Sequence, residues 1–286
     1  MTTIKAFLRG HPVLTYYALT FAISWGGILL AIGGLGGIPG TAEQFKRLLP
    51  IAIPVMLIGP TIAGLLLTSL VYGRVGLREV LSRALKWQVG ARWYAVALLT
   101  APLLMTVIPL ALAFLLPQFL PGIITKSDKA SLLQMGIAAG LMAGIFEELG
   151  WTGFAIPTLR RRYGVLTTGL IVGGLWGAWH FWVNFWSSGA PSGGLSPTLL
   201  IHSVFFSIGI LPAYRVLMVW VYDRTQSLLV AMLMHASLTA SNVILVPLAT
   251  GAPLVIWSLV LAAALWAVVA AVALAKGGQL SRQPSG

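Results

Sequence analysis

Apolar runs of roughly twenty residues, parted by short polar clusters, recur along the whole chain. The first runs from Val13 to about Gly33, long enough at 1.5 Å per residue to cross about 30 Å of hydrocarbon. Others cover about 50–72, 94–116, 131–155, 164–186, 198–221, 227–248 and 252–275. The pattern predicts an all-α, polytopic membrane protein of about eight transmembrane helices. The first run reads as a helix and not a cleaved leader, whose apolar core would be shorter and be followed by a small-residue cleavage site. Between the second and third runs, residues 73–93 place Arg74, Arg78, Arg83, Lys86 and Arg92 among Leu, Val and Trp. That mixture predicts an amphipathic helix lying in the interface. No internal repeat and no soluble domain are visible, so residues 1–286 are expected to form one membrane-embedded domain.

Composition strengthens this reading. The 286 residues are 58% hydrophobic and 8% charged, against about 25% charged in a soluble domain. The net charge of +12 therefore belongs to basic loops beside a membrane and is no sign of nucleic-acid binding. With the N-terminus inside, the inner segments hold Lys5, Arg9, Arg74, Arg78, Arg83, Lys86, Arg92, Arg160, Arg161, Arg162, Arg215, Arg224, Lys276 and Arg282. The outer segments hold Lys46, Arg47, Lys126 and Lys129. The positive-inside rule then gives N-in, C-in. The absence of cysteine excludes disulfides, thiolate catalysis and Cys-ligated metals.

Against this background two adjacent carboxylates stand out. Glu147 and Glu148 lie in the apolar run Leu141-Met-Ala-Gly-Ile-Phe-Glu-Glu-Leu-Gly-Trp151. A charge at the centre of a spanning helix costs roughly 2.5–3.5 kcal/mol on insertion scales, which makes such residues functional candidates. Like charges side by side also raise each other's pKa, so at least one of the two is expected to hold a proton. Two histidines lie in other apolar runs, His180 in the fifth and His235 in the seventh. A His–His–Glu set can do either of two jobs. It can hold a divalent metal such as zinc through His180, His235 and Glu147 and activate water. It can also work without metal, a glutamate and a histidine sharing the acid and base roles.

Helical spacing supplies supporting groups. Glu147 with Trp151, and Glu148 with Thr152, are i,i+4 pairs; Trp176, His180 and Asn184 share a face; Thr239 and Asn242 share the face of His235. Thr239 or Asn242 can orient the imidazole or donate to an oxyanion. His202, near the start of its span, reads as interfacial, and His11 lies outside the first span. Trp179, Trp182 and Trp186 read as packing residues.

Glu147-Glu148-Leu-Gly-Trp151-Thr-Gly-Phe, then Trp176-x-x-x-His180, then His235 in a late helix, together resemble the CAAX-protease and bacteriocin-processing (CPBP, or Abi) family of intramembrane endopeptidases. Trp220-Val-Tyr-Asp-Arg-Thr-Gln-Ser-Leu resembles its bacterial branch. The resemblance covers a core of about 131–248. It implies a helical fold with a cavity open to the inner side and to lipid, and peptide hydrolysis near the cytoplasmic face. Glu147 would activate water with help from His180, His235 would complete the site, and Glu148 would support it. The implied partners are membrane lipid and a peptide or membrane-protein substrate, in the plasma membrane of a bacterium. Two positions depart from the family pattern, which has arginine where Thr152 stands and asparagine where Thr239 stands. A catalytically impaired immunity or peptide-binding protein is the alternative they raise. A transporter or proton relay is a third reading, without the repeat that many transporters carry.

Overall fold

A computed structural model describes residues 3–190 and 194–275. Its helices are α1 (Thr3–Gly10), α2 (Pro12–Ile32), α3 (Ala42–Ala84) and α4 (Ala91–Ala113). Then follow α5 (Lys129–Arg160), α6 (Val165–Trp179), α7 (Phe181–Ser187), α8 (Pro197–Thr225), α9 (Leu228–Leu245) and α10 (Ala252–Ala275). Seven of these are long and apolar enough to cross a membrane. The predicted fifth span is divided at His180 into α6 and α7, which make the eighth traverse together.

Local chemistry sets the boundaries. Pro12 opens α2 in the first turn, where a missing N–H costs nothing. The helix stops at Gly33, whose φ of 84° is open to glycine at little cost. Thr41 and Gln44 close a reciprocal capping box at the start of α3. The expected interfacial helix after residue 73 takes a different form. Gly73, at φ 65°, breaks α3, and the helix resumes only to Ala84. Residues 85–90 are then non-helical up to the start of α4.

Successive traverses run in opposite directions. One end of the bundle gathers α1, the ends of α3 and α5, the start of α4, and the turn between α8 and α9. Arg83 donates to the Tyr222 hydroxyl at 2.7 Å and to the Gly153 carbonyl at 3.0 Å. Arg160 pairs with Asp223 at 2.6 Å, and the Ser227 hydroxyl donates to the Lys86 carbonyl at 2.6 Å. At the far end the Gly40 amide donates to the Trp186 carbonyl at 2.9 Å. Ten described basic residues stand at the first end: Arg9, Arg74, Arg78, Arg83, Lys86, Arg92, Arg160, Arg161, Arg162 and Arg224. Lys46, Arg47, Lys126 and Lys129 stand at the other. Lys276 and Arg282, assigned to the inner side from sequence, lie outside the described residues. Arg215, counted with the inner segments, is fully buried in mid-bundle.

Prolines inside the helices tie neighbours together. A proline has no N–H for the carbonyl four residues back, and in hydrocarbon that carbonyl must find another donor. Pro60 frees Met56, whose carbonyl accepts from the Ser24 hydroxyl of α2 at 2.7 Å. Pro102 frees Leu98, which accepts from Ser237 of α9 at 2.9 Å. Pro157 frees Gly153, the acceptor of Arg83.

The seam that matters most for function joins α5 to α9. Gly136, Gly140 and Gly144 recur at i,i+4 along α5, the small-residue spacing that lets membrane helices approach backbone to backbone. A methyl on Gly140 would lie 2.5 Å from the Ala236 carbonyl oxygen, and one on Gly144 would collide with the carbonyl of Met232. This contact brings the carboxylates of α5 against His235 of α9. Gly140→Leu should destabilise the protein by roughly 1–3 kcal/mol through overpacking. Gly174→Leu, at a position with open space around it, should change stability by less than about 0.5 kcal/mol. Thermal unfolding of both variants in one detergent checks the contrast.

Candidate active site

Neighbouring residues on a helix point about 100° apart, so Glu147 and Glu148 serve different partners. Both are buried. Glu148 turns toward α8 and α9. Arg215 reaches both of its oxygens through one guanidinium nitrogen, at 2.8 and 2.9 Å. The Thr152 hydroxyl donates to Oε2, and His235 Nδ1 lies 2.7 Å from Oε1. Arg215 and Thr152 donate to this carboxylate, whose oxygens act as acceptors. Glu147 turns toward a cavity. Its Oε2 accepts the indole N–H groups of Trp176 at 2.7 Å and Trp151 at 3.1 Å. Its Oε1 faces His235 Nε2 at 3.7 Å. No hydrogen bond joins the two carboxyl groups among the described residues.

A π-helical turn, Trp151–Ala155, follows the glutamate pair directly. Such turns often mark functional sites in otherwise regular helices. Here it falls where Trp151 and Thr152 fold back onto Glu147 and Glu148. Both i,i+4 pairs expected from the sequence are formed.

Arg215 is the residue that sequence reading missed. Its guanidinium lies 4.1 Å above the Trp176 ring, so the same cation holds Glu148 and packs on the indole that holds Glu147. The signal was present, since Arg215 sits inside Leu211-Pro-Ala-Tyr-Arg-Val-Leu-Met-Val-Trp220. An ionisable residue in such a run is a functional candidate by the criterion applied to the glutamates.

Because Glu148 only accepts from the imidazole, Nδ1 of His235 carries the proton. Nε2 is left to face Glu147, and Glu148, not Thr239 or Asn242, orients the ring. His180 ends α6, and its Nδ1 lies 2.8 Å from the Trp176 carbonyl, so its Nε2 is also the free nitrogen. Glu147, His180, His235, Trp176, Asn184, Thr239 and Asn242 all line one cavity of about 260 Å³. Its remaining walls are mostly apolar, from Ile53 and Met56 of α3 to Phe206 and Leu211 of α8. The resemblance implied an opening on the basic, inner side. On α5, α7 and α9 the lining residues instead continue from the acid pair away from the basic end. His202 is elsewhere, bonded to Ser258 of α10 at 2.6 Å, and His11 caps α2 near Arg161 and Tyr163.

No group of three or more histidine, aspartate or glutamate side chains stands at metal-binding spacing among the described residues. Glu147 Oε2 is occupied by two indoles and His235 Nδ1 by Glu148, which leaves Glu147 Oε1 and the Nε2 atoms of His235 and His180 toward the cavity.

Residues 129–241 match the model of a protein family described as type II CAAX prenyl endopeptidase Rce1-like. A curated protein named CAAX prenyl protease 2, from Methanococcus maripaludis, is 28% identical over 95 residues, 33% of this chain and 35% of the relative. The chain thus spans about a third of the length of the curated relative it matches. The family resemblance read from the motifs is borne out, and the matched segment holds Glu147, Glu148, His180, Arg215 and His235.

Removing Arg215 leaves a carboxylate buried without its cation. Arg215→Met should cost roughly 3–5 kcal/mol of stability, and Arg215→Met combined with Glu148→Gln should recover part of it. Chemical unfolding of the single and double variants in detergent measures the difference.

Proposed function

We propose that this chain is an intramembrane endopeptidase in which Glu147 and His235 activate a water molecule. One observation carries the reading. Glu147 keeps one oxygen pinned by two indoles and presents the other to His235, whose far nitrogen is held by Glu148, itself bound to Arg215. A water molecule bridges gaps beyond direct hydrogen-bond reach, and the 3.7 Å between Glu147 Oε1 and His235 Nε2 suits one.

The steps follow from these positions. Glu147 takes a proton from the bridging water as its oxygen bonds to the scissile carbonyl carbon. His180 Nδ1–H donates to the Trp176 carbonyl, so its Nε2 faces the same cavity as an acceptor for the water or the peptide N–H. The Asn242 amide and the Thr239 hydroxyl, on the same walls, are placed to donate to the carbonyl oxygen as negative charge develops there. Collapse of the tetrahedral intermediate breaks the C–N bond, and the proton held by Glu147 passes to the leaving amine. His235 holds the water before attack, and the Glu148–Arg215 pair fixes its tautomer. Trp151 and Trp176 hold Glu147 in one rotamer. The substrate class is a peptide segment able to enter an apolar cavity from the membrane.

Thr239 supports a second reading. It lines the cavity at the position where the family resemblance places asparagine, and a hydroxyl offers a single donor where an amide offers two. A peptide-binding or immunity protein with weakened catalysis would tolerate that exchange.

Purified protein in proteoliposomes, presented with a broad peptide set with and without added zinc, separates the two. Wild type should cleave, and Glu147→Gln and His235→Ala should each lose roughly 10²–10⁴-fold in rate. Full activity of Glu147→Gln, or no cleavage by wild type in any condition, would move the assignment to the binding protein. Cleavage that depends on added zinc would overturn the side-chain mechanism.

A further inference from the structure

The cavity has a direction relative to the charge on the bundle. Glu147 stands thirteen residues before Arg160, at about 20 Å from the basic end of α5, and His235 seven residues after Leu228, at about 10 Å from the basic end of α9. From these two the lining continues the other way. On α5 it passes through Ala143 and Met142 to Ala139, and on α9 through Leu238 and Thr239 to Asn242. Asn242 is three residues from the end of α9 and Asn184 three from the end of α7, so the walls reach within about 5 Å of the far ends of both helices.

The opposite direction is closed. Tyr16 and Tyr17 of α2 pack on Trp151 at ring separations of 5.6 and 5.7 Å, and Tyr16 packs on Phe154 at 5.4 Å. All four are buried. A separate recess at the basic end, lined by Arg83, Arg161 and Tyr222 among others, has no lining residue in common with the catalytic cavity.

Basic residues decide which end faces the cytoplasm. Short segments rich in Lys and Arg stay inside, and the ten at one end against four at the other place the closed end there. We infer that the catalytic cavity opens to the extracytoplasmic side, and that its substrates are apolar peptide segments presented at the outer leaflet. The walls suit such a segment. Met142, Val183, Leu238 and Phe206 are apolar, and Asn184, Thr239 and Asn242 are polar but uncharged. This rests on the endopeptidase reading for the word substrate; the direction of the opening stands on geometry and charge alone.

The chain has no cysteine, so single thiols report without background. Asn242→Cys and Thr239→Cys mark the cavity, Lys129→Cys the far end and Arg162→Cys the basic end. Each full-length variant is treated with a membrane-impermeant maleimide in intact cells and in inverted vesicles, and referred to labelling in denaturing detergent. Lys129→Cys and at least one cavity thiol should label in intact cells, and Arg162→Cys only in inverted vesicles. Cavity thiols that react only in inverted vesicles, or in neither preparation, overturn the proposal, as does Lys129→Cys reacting only from inside. Labelling is read without cleavage, so a protease whose cavity labels from the cytoplasmic side loses this inference alone. A protein labelled as expected that cleaves nothing loses only the substrate.

Discussion

One buried charge pair governs the site. Glu148 in mid-membrane needs a cation, and Arg215 supplies it from another helix. Taking either partner from water is expensive unless geometry and hydrogen bonds repay it. Here the repayment is dense, because the guanidinium touches both carboxylate oxygens and stacks on Trp176, while Thr152 and His235 fill the remaining acceptor positions. The charge that would strain an apolar helix is thereby turned into a fixed point. His235 is oriented by it directly, and Glu147 indirectly through the indole that Arg215 covers.

That arrangement separates the roles of two adjacent glutamates. A hundred degrees of helical rotation points Glu148 at the interior cation and Glu147 at the cavity. One is held against a buried guanidinium, and the other keeps an oxygen free toward the cavity. Thr152 also acquires a meaning. The family pattern has arginine at that position; in this chain the guanidinium on Glu148 comes from Arg215, and Thr152 contributes a hydroxyl to the same carboxylate.

The scaffold serves this geometry by close approach. Glycines 136, 140 and 144 let α5 reach α9, and prolines 60, 102 and 157 release carbonyls that hydroxyl or guanidinium groups of other segments capture. In lipid, where apolar burial gives helices little reason to associate, such contacts and hydrogen bonds supply specificity. The far side of the seam is left open, and there the polar walls of the cavity continue toward the sparsely charged end.

The sequence alone determined the membrane class, the number of traverses, the acidic pair and the two histidines, because hydrocarbon penalises each charge and each unpaired backbone group residue by residue. The i,i+4 partners Trp151 and Thr152 were legible for the same reason, since helical spacing is local. Tertiary structure decided the rest. Arg215 read only as one more cation of the inner count until α8 was packed against α5. Thr239 looked like the group that orients His235 until Glu148 was seen to hold the ring. The break at His180 and the direction of the cavity appear only when helices from distant parts of the chain are placed side by side. Periodicity records which face a residue occupies, and carries no information on which helix that face will meet.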